Sequence, residues 1–355
     1  MTSEPAWGKW PKGRESGYTM EIRKKEYAIG IDIGGTKCAV ILGRRPIPGE
    51  SAETPILDKR CFFTGKCVGW KEAVDKIAQL TEELLARNGL CALDLAGIGI
   101  SCGGPLKHRE GVIMNPPNLV GWSNVPIVAI LRKRFGIPVC LENDANAGAV
   151  AECRFGRARG KDNVVFLTFG TGLGAGLILN GRLYRGTSDM AGEVGHIRLS
   201  RFGPVGYGKA GSFEGFCSGS GIAQLARSRL LEERQAGNLP ANARWSSREE
   251  ITAEKLAAAA REGDEFALSV YRISARYLGK GLAIIIDILN PEMIIIGSIF
   301  ERCEDLFREE MCRTIEQEAL KNSNSACQVA AASLGDRIGD FAALAVAFGC
   351  DGISG

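Results

Sequence analysis

Acids, hydroxyls and glycine-bounded turns recur in this chain at spacings that suit phosphoryl transfer. Ile31-Asp32-Ile33-Gly34-Gly35-Thr36-Lys37 and Thr168-Phe169-Gly170-Thr171-Gly172-Leu173-Gly174 align with each other without a gap. Glycine permits positive φ and lets backbone N–H groups come close to an anion, so both turns read as phosphate cradles. Asp32 ends the apolar run before the first turn, where a carboxylate reaches a magnesium ion beside a triphosphate, and Thr36 and Lys37 add a hydroxyl and a positive charge. An aspartate at a strand end also caps turns, and in isolation that plainer explanation fits equally well; the second glycine turn favours a site. Phosphoryl transfer rests on placing metal, phosphate and nucleophile rather than on covalent work by the protein.

Glu142-Asn143-Asp144-Ala145-Asn146 follows the apolar run 138–141 and opens an alanine-rich helix. Clefts in α/β sheets form at such strand ends, which makes Asp144 the candidate general base for a substrate hydroxyl and Asn143 its hydrogen-bonding neighbour. Helix capping is the competing explanation, since Asn and Asp are favoured at helix starts, although three successive polar groups exceed what a cap needs. Of only two histidines, His196 lies in Gly192-Glu193-Val194-Gly195-His196, just after the second glycine turn. Glu193 and His196 are spaced to face one cleft and bind neighbouring hydroxyls of a sugar, a ligand that demands polar partners in fixed directions. A lone histidine is often structural; the glutamate and glycines favour the site. His108, in a polar loop, reads as solvent-exposed.

The elements that must position these groups follow from periodicity. Residues 27–32 and 38–42 flank the first turn, and 164–169 and 175–179 the second, so each unit reads as a β-hairpin. A third strand at 60–64, a helix at 69–88 stopped by Gly89, a strand at 95–101 running into Cys102-Gly103-Gly104-Pro105, a helix at 128–135 and a strand at 138–141 complete a β-β-β-α-β-α-β lobe. The second hairpin opens a similar lobe with helices at 253–261 and 264–288 and a strand at 293–296, and a last amphipathic helix at 339–348 returns to the first. The fold class expected is α/β: two RNase H-like lobes of the actin and hexokinase type with an interlobe active-site cleft. The lobes are expected at 26–144, completed by 336–355, and at 145–335. Residues 1–25 lack apolar periodicity and a signal-peptide core, and read as a flexible arm or as sequence ahead of a natural start at Met20. Residues 232–250 read as a polar surface excursion.

Composition narrows the classes. A length of 355 residues with 45% hydrophobic content supports two cores. Lys plus Arg exceed Asp plus Glu by only 44 to 41, giving +3, so no basic field of the kind nucleic-acid binders show is present. No apolar run reaches the roughly 18 residues that span a bilayer. Twelve cysteines without a CxxC pair fit reduced thiols in a cytoplasmic protein.

At this point the chain resembles the ROK family of sugar kinases and repressors over nearly all of residues 27–350. Gly30-Ile31-Asp32-Ile33-Gly34-Gly35-Thr36-Lys37 is similar to the family's first phosphate motif, and Asn115-Pro116-Pro117-Asn118-Leu119-Val120-Gly121-Trp122 to its sugar-side loop. The Asn143-Asp144, Gly170 to Gly174 and Gly192 to His196 motifs follow in the family's order. The resemblance implies Asp144 as general base, with Gly104, Asn118, Asn143, Glu193, His196 and Glu214 on the sugar side. It further implies ATP and Mg2+ as cofactors, with Asp32, Gly34, Gly35, Thr36, Lys37, Gly170, Thr171, Gly172, Gly174 and Gly297 around the nucleotide. Ser218-Gly219 and the run from Asn290-Pro291 to Gly297 correspond to adenosine-side segments, with Ser298 a mild change where a second glycine is common.

One departure stands out. Where many relatives carry Cys-x-Cys-Gly-x-x-Gly-Cys, this chain has Val205-Gly206-Tyr207-Gly208-Lys209-Ala210-Gly211-Ser212. His196 and the displaced Cys217 cannot supply the four N or S ligands of structural zinc, so no zinc is expected. Packing of Phe202, Tyr207, Phe213 and Phe216, or a looser loop, must take its place. The reading is an ATP-dependent hexose kinase, glucose to glucose 6-phosphate, with fructose, mannose, allose and N-acetylmannosamine open. The partners implied are sugar and ATP, without nucleic acid or membrane, in a homodimer. A sugar-sensing repressor is the rival, although about 26 residues before the first strand are few for a DNA-binding module. A silent sugar binder descended from a kinase is a third reading.

Overall fold

A computed structural model describes residues 25–46, 55–237, 245 and 251–350. The expected arm at 1–25 lies outside them but for residue 25, as do residues 351–355 of the expected C-terminal segment.

The first hairpin forms as its apolar runs predict: β1 (Tyr27–Ile33) and β2 (Lys37–Arg44) pair antiparallel, and β3 (Ile56–Phe63) extends the meander. Helix α1 (Gly69–Arg87) buries Val74, Ile77, Leu80, Leu84 and Leu85, the stripe that its sequence spaces at helical intervals. Next come β4 (Leu95–Cys102), the short pair β5 (Leu106–Lys107) and β6 (Val112–Ile113), α2 (Ile127–Phe135), β7 (Val139–Asn143) and α3 (Asp144–Arg154). The sheet order is β3-β2-β1-β4-β7, with β1, β4 and β7 parallel. Register aligns Asp32 with Ser101 and Ser101 with Glu142, so one edge of the sheet presents Asp32, the Cys102-Gly103 turn and Asn143-Asp144 side by side.

A second sheet repeats this plan. It is built from β8 (Val164–Phe169), β9 (Leu173–Leu179) and β10 (Arg182–Tyr184), then, beyond a small hairpin of β11 (Val205–Gly206) and β12 (Lys209–Ala210), from β13 (Met293–Ile296) and β14 (Gln328–Ala331). Its order is β10-β9-β8-β13-β14, antiparallel and then parallel like the first. Covering it are α4 (Phe213–Phe216), α5 (Gly219–Gln235), α6 (Ala253–Arg261), α7 (Glu265–Leu289), α8 (Ile299–Glu318) and α9 (Lys321–Ala326). Helix α5 runs four residues into the segment read as a polar excursion. Most of that segment lies outside the described residues, but Trp245 is buried and donates Nε1–H to Asp264 Oδ2 at 2.9 Å.

Helix α10 (Ile338–Ala347) returns to the first sheet, as its apolar sequence predicts. It lies so close that a Cβ on Gly99 would stand 2.1 Å from the Ala347 nitrogen. Helix α3 approaches the second sheet as closely at Gly176, where a Cβ would meet the Ala145 oxygen at 2.3 Å. The two helices pack together through Ala147, Ala151, Phe341, Ala342 and Ala345, forming the layer between the sheets. The buried Glu152 of α3 accepts from the N–H groups of Arg157, Ser333 and Leu334 and from the Ser333 hydroxyl. One carboxylate thus ties together both chain crossings between the sheets. The sulfur atoms of Cys140 of β7 and Cys350 after α10, 210 residues apart in sequence, lie side by side, and the other ten cysteines are free. Only the return of α10 to the sheet brings that pair together.

Candidate active site

Two adjoining cavities, of about 430 and 510 Å³, open between the sheets and share Gly104, Pro117, Leu173 and Glu214. The smaller holds Gly104, Asn143, Glu193, His196 and Glu214 of the expected sugar contacts. The larger holds Asp32, Gly34, Gly35, Asp144, Gly170, Thr171, Gly172, Gly174 and Gly297. Three expected residues are placed otherwise. Asn118 lines the larger cavity rather than the smaller, and Thr36 and Lys37 are exposed at the start of β2 outside both linings.

The first glycine turn is pinned from two sides. Its Gly34 N–H donates to the Lys37 oxygen at 3.0 Å, and the Gly34 carbonyl accepts from Thr64 Oγ1 at 2.8 Å. Gly35 must lack a side chain, because a Cβ there would meet the Asn118 oxygen at 2.4 Å. In the second turn the Gly170 oxygen accepts from Gly219 N–H at 2.8 Å, and the Thr171 oxygen from Ser220 Oγ at 3.0 Å. Both donors belong to the first turn of α5, whose N-cap Ser218 accepts from Gly221 N–H, so the positive end of a 17-residue helix abuts the cradle. Ser298 is no mild change: its backbone sits at φ 63° and ψ −113°, a glycine region that costs other residues about 1–3 kcal/mol.

The alternatives at the β7–α3 junction are resolved by geometry. Asn143, not Asp144, caps the helix, its Oδ1 accepting from Asn146 N–H at 2.7 Å. Asp144 accepts from the adjacent Ala145 N–H, at 2.9 Å, and its carboxylate lines the larger cavity while protein encloses its other sides. That enclosure raises its pKa against the pull of the backbone N–H. Asp32 is pushed up to about 6, chiefly by burial and then by the charges of Asp340 and Asp144, with Lys59 and Lys37 acting in the opposite sense. Glu193 is raised by partial burial and by Glu214 and Asp144, while His196 lowers it.

Several members of this site went unrecognised in the sequence. Asp340, on the first turn of α10, pairs with Lys59 at 2.6 Å beside Asp32, and a Cβ on its neighbour Gly339 would meet Asp32 Oδ2 at 2.4 Å. A lone acid in the apolar run 338–348 was the available signal. Buried Glu142 binds the Asn143 N–H, Asn146 Nδ2 and Arg185, whose Nε and Nη2 approach Oε2 at 2.8 and 2.7 Å. His108 is not the solvent-exposed residue expected. Its Nδ1 donates to the Leu141 oxygen at 2.6 Å, 3.5 Å from Glu142 Oε2, and it lines the smaller cavity. No local pattern could show that its loop folds under β7.

Two sheets of one strand order facing a shared crevice define the two-lobed actin and hexokinase type of fold, with a site able to hold a phosphorylated ligand beside a polyhydroxylated one. A family model described as ROK family matches residues 28–348, and the chain belongs to that family. Its relatives include a glucokinase of Halalkalibacterium halodurans, 32% identical over 88% of this chain and 92% of its own. A xylose repressor of Caldicellulosiruptor bescii is also 32% identical, over 98% of this chain and 82% of its own. Among solved structures, a ROK family glucokinase from Streptomyces griseus in complex with glucose and AMPPNP superposes with a TM-score of 0.69 at 30% identity, covering 90% of this chain and 99% of that one. Among the described residues, no helix is long and apolar enough to cross a membrane.

Proposed function

We propose that this chain is an ATP-dependent hexose kinase, with glucose as the first candidate substrate and glucose 6-phosphate as its product. The observation that carries this reading is the position of Asp144, free of the capping role and lining the larger cavity, while its neighbour Asn143 lines the smaller. The smaller cavity takes the sugar, with Glu193, His196, Glu214 and the Asn143 amide as hydroxyl partners, and the larger takes the nucleotide. Asp144 accepts the proton of the sugar's primary hydroxyl as that oxygen bonds to the γ-phosphorus and the bond to the ADP oxygen breaks. Its raised pKa brings the base nearer working pH. Glycine-turn N–H groups and the start of α5 hold the phosphate oxygens.

Asp32 lines the larger cavity and is the residue that would hold magnesium with ATP, where the ion would offset phosphate charge. Closure of the sheets over both ligands limits loss of ATP to water.

A coupled ADP-release assay over glucose, fructose, mannose, allose, N-acetylmannosamine and xylose tests the proposal and identifies the sugar. The likeness to a xylose repressor supports a second reading, a sugar-responsive regulator. Sugar binding by calorimetry without ADP release from any member of the panel would favour it. A homodimer in the cytoplasm accompanies the kinase reading, and light scattering tests the dimer.

A further inference from the structure

The zinc element implied by the family finds no donors here. Val205, Tyr207 and Ser212 stand at the cysteine positions, and the Ser212 hydroxyl is already committed, accepting from Gly215 N–H at 3.1 Å and lying 3.4 Å from the Gly206 oxygen. Cys217, the thiol next in sequence, is buried against the Ser274 oxygen, and burial pushes its pKa up, away from the thiolate a metal binds. Among the described residues, no group of three or more His, Cys, Asp or Glu side chains is arranged to hold a metal ion. Nor do the four expected aromatics fill the gap: Phe213 and Phe216 are buried, but Phe202 and Tyr207 are exposed.

Hydrogen bonds occupy the place of the metal. Tyr207 and Gly208, with φ of 42° and 74°, form the tight turn of the β11–β12 hairpin. From β12, Lys209 Nζ donates to the His196 carbonyl oxygen at 2.7 Å. Arg198 Nη1 returns a bond to the Ala210 oxygen at 2.7 Å, and Leu199 and Phe213 N–H groups bond to the Gly211 and Ile197 oxygens at 2.9 and 2.7 Å. Ser212 then caps α4, which carries Glu214, and Glu214 Oε2 accepts from Leu173 N–H at 3.0 Å in the second glycine turn. On the far side Phe216 stacks on Tyr277 with centroids 3.5 Å apart.

We propose that this chain holds the His196 and Glu214 wall of its smaller cavity without a metal, the Lys209 ammonium and the Ser212 hydroxyl bracing the loop from Val205 to Ser212, so that Lys209 is a positioning residue for His196. The role of that wall in sugar binding rests on the kinase reading; the metal-free brace does not.

The experiment runs on the full chain, purified without chelator. Metal analysis should find zinc far below one per chain, and EDTA treatment should leave the thermal midpoint unchanged. Lys209→Met should speed amide exchange over residues 196–213. It should also raise the sugar Kd, measured by calorimetry, about tenfold, with the KM for ATP unmoved and kcat changed less than about threefold. Lys209→Arg, which keeps the charge and a donor, should restore both. One zinc per chain whose removal lowers the midpoint would overturn the proposal, as would Lys209→Met with wild-type exchange. If the wild-type protein binds no hexose, the kinase reading fails, while metal content and amide exchange still decide the brace.

Discussion

In the proposed kinase reading, Asp144 and Asp32 divide two tasks between chemically identical side chains, and their surroundings make the division. Asp144 is relieved of capping by Asn143, so its carboxylate is free to take a proton. Asp144→Asn should reduce turnover roughly a thousandfold, in the range expected for a lost general base, and leave sugar affinity within about tenfold. The coupled assay and calorimetry measure the two effects; equal loss of both would make the acid a structural element. Asp32 carries a pKa of about 6 against 3.8 for a free side chain, so the folded state binds its proton more tightly than the unfolded one. Stability from this group is therefore fully present below 3.8 and declines as pH rises to about 6. Asp32→Asn removes a buried charge at neutral pH and should raise stability by about 1 kcal/mol while activity collapses, read by denaturant titration at pH 7. Wild-type kcat/KM should fall as pH drops through about 6, and saturating magnesium should move that limb lower, because a cation favours the charged carboxylate.

Among elements, α10 connects fold to site most directly. Its small residues lie on the first sheet, and its first turn brings Gly339 and Asp340 against Asp32. Two glycine substitutions should separate these roles. Gly339→Ala adds a methyl group whose nearest neighbours are the atoms of the Asp32 carboxylate, a side-chain end able to turn aside, so stability should stay within about 1 kcal/mol, the alanine's helix propensity helping, while activity falls at least about tenfold. Gly99→Ala sets a Cβ against the backbone of Ala347, which cannot yield, and should cost about 2 kcal/mol or more. Thermal and chemical denaturation beside the coupled assay distinguish the two patterns. The helix was legible in the apolar run 339–348, but its closeness to Asp32 was not, since helical periodicity reports which face is buried and not what it is buried against.

Across the whole molecule, two sheets of one order are joined by two crossings, and Glu152 binds backbone N–H groups from both. Glu152→Ala would leave those donors buried without an acceptor, and a loss of about 3–5 kcal/mol is expected in the denaturation midpoint. Glu152→Gln keeps an oxygen acceptor and should lose less than half of that. A second tie runs from one sheet to the other, between Arg185 after β10 and Glu142 of β7, which lines the smaller cavity. Glu142 also holds the Asn143 N–H, so this tie between the sheets reaches the residue beside Asp144.

The amino-acid order alone set the two glycine turns, the alternating and apolar runs around them, the strand-end acids and the replaced cysteines. Each is written in neighbouring residues through backbone freedom and periodicity, so no tertiary contact is needed to read it. Folding alone decided which charges meet. Lys59 finds Asp340 across 281 residues, Arg185 finds Glu142 across 43, and Lys209 finds the His196 carbonyl across 13. Such pairs depend on how a returning helix and two hairpins come to rest on the sheets, and a residue's neighbours in sequence carry no record of that geometry.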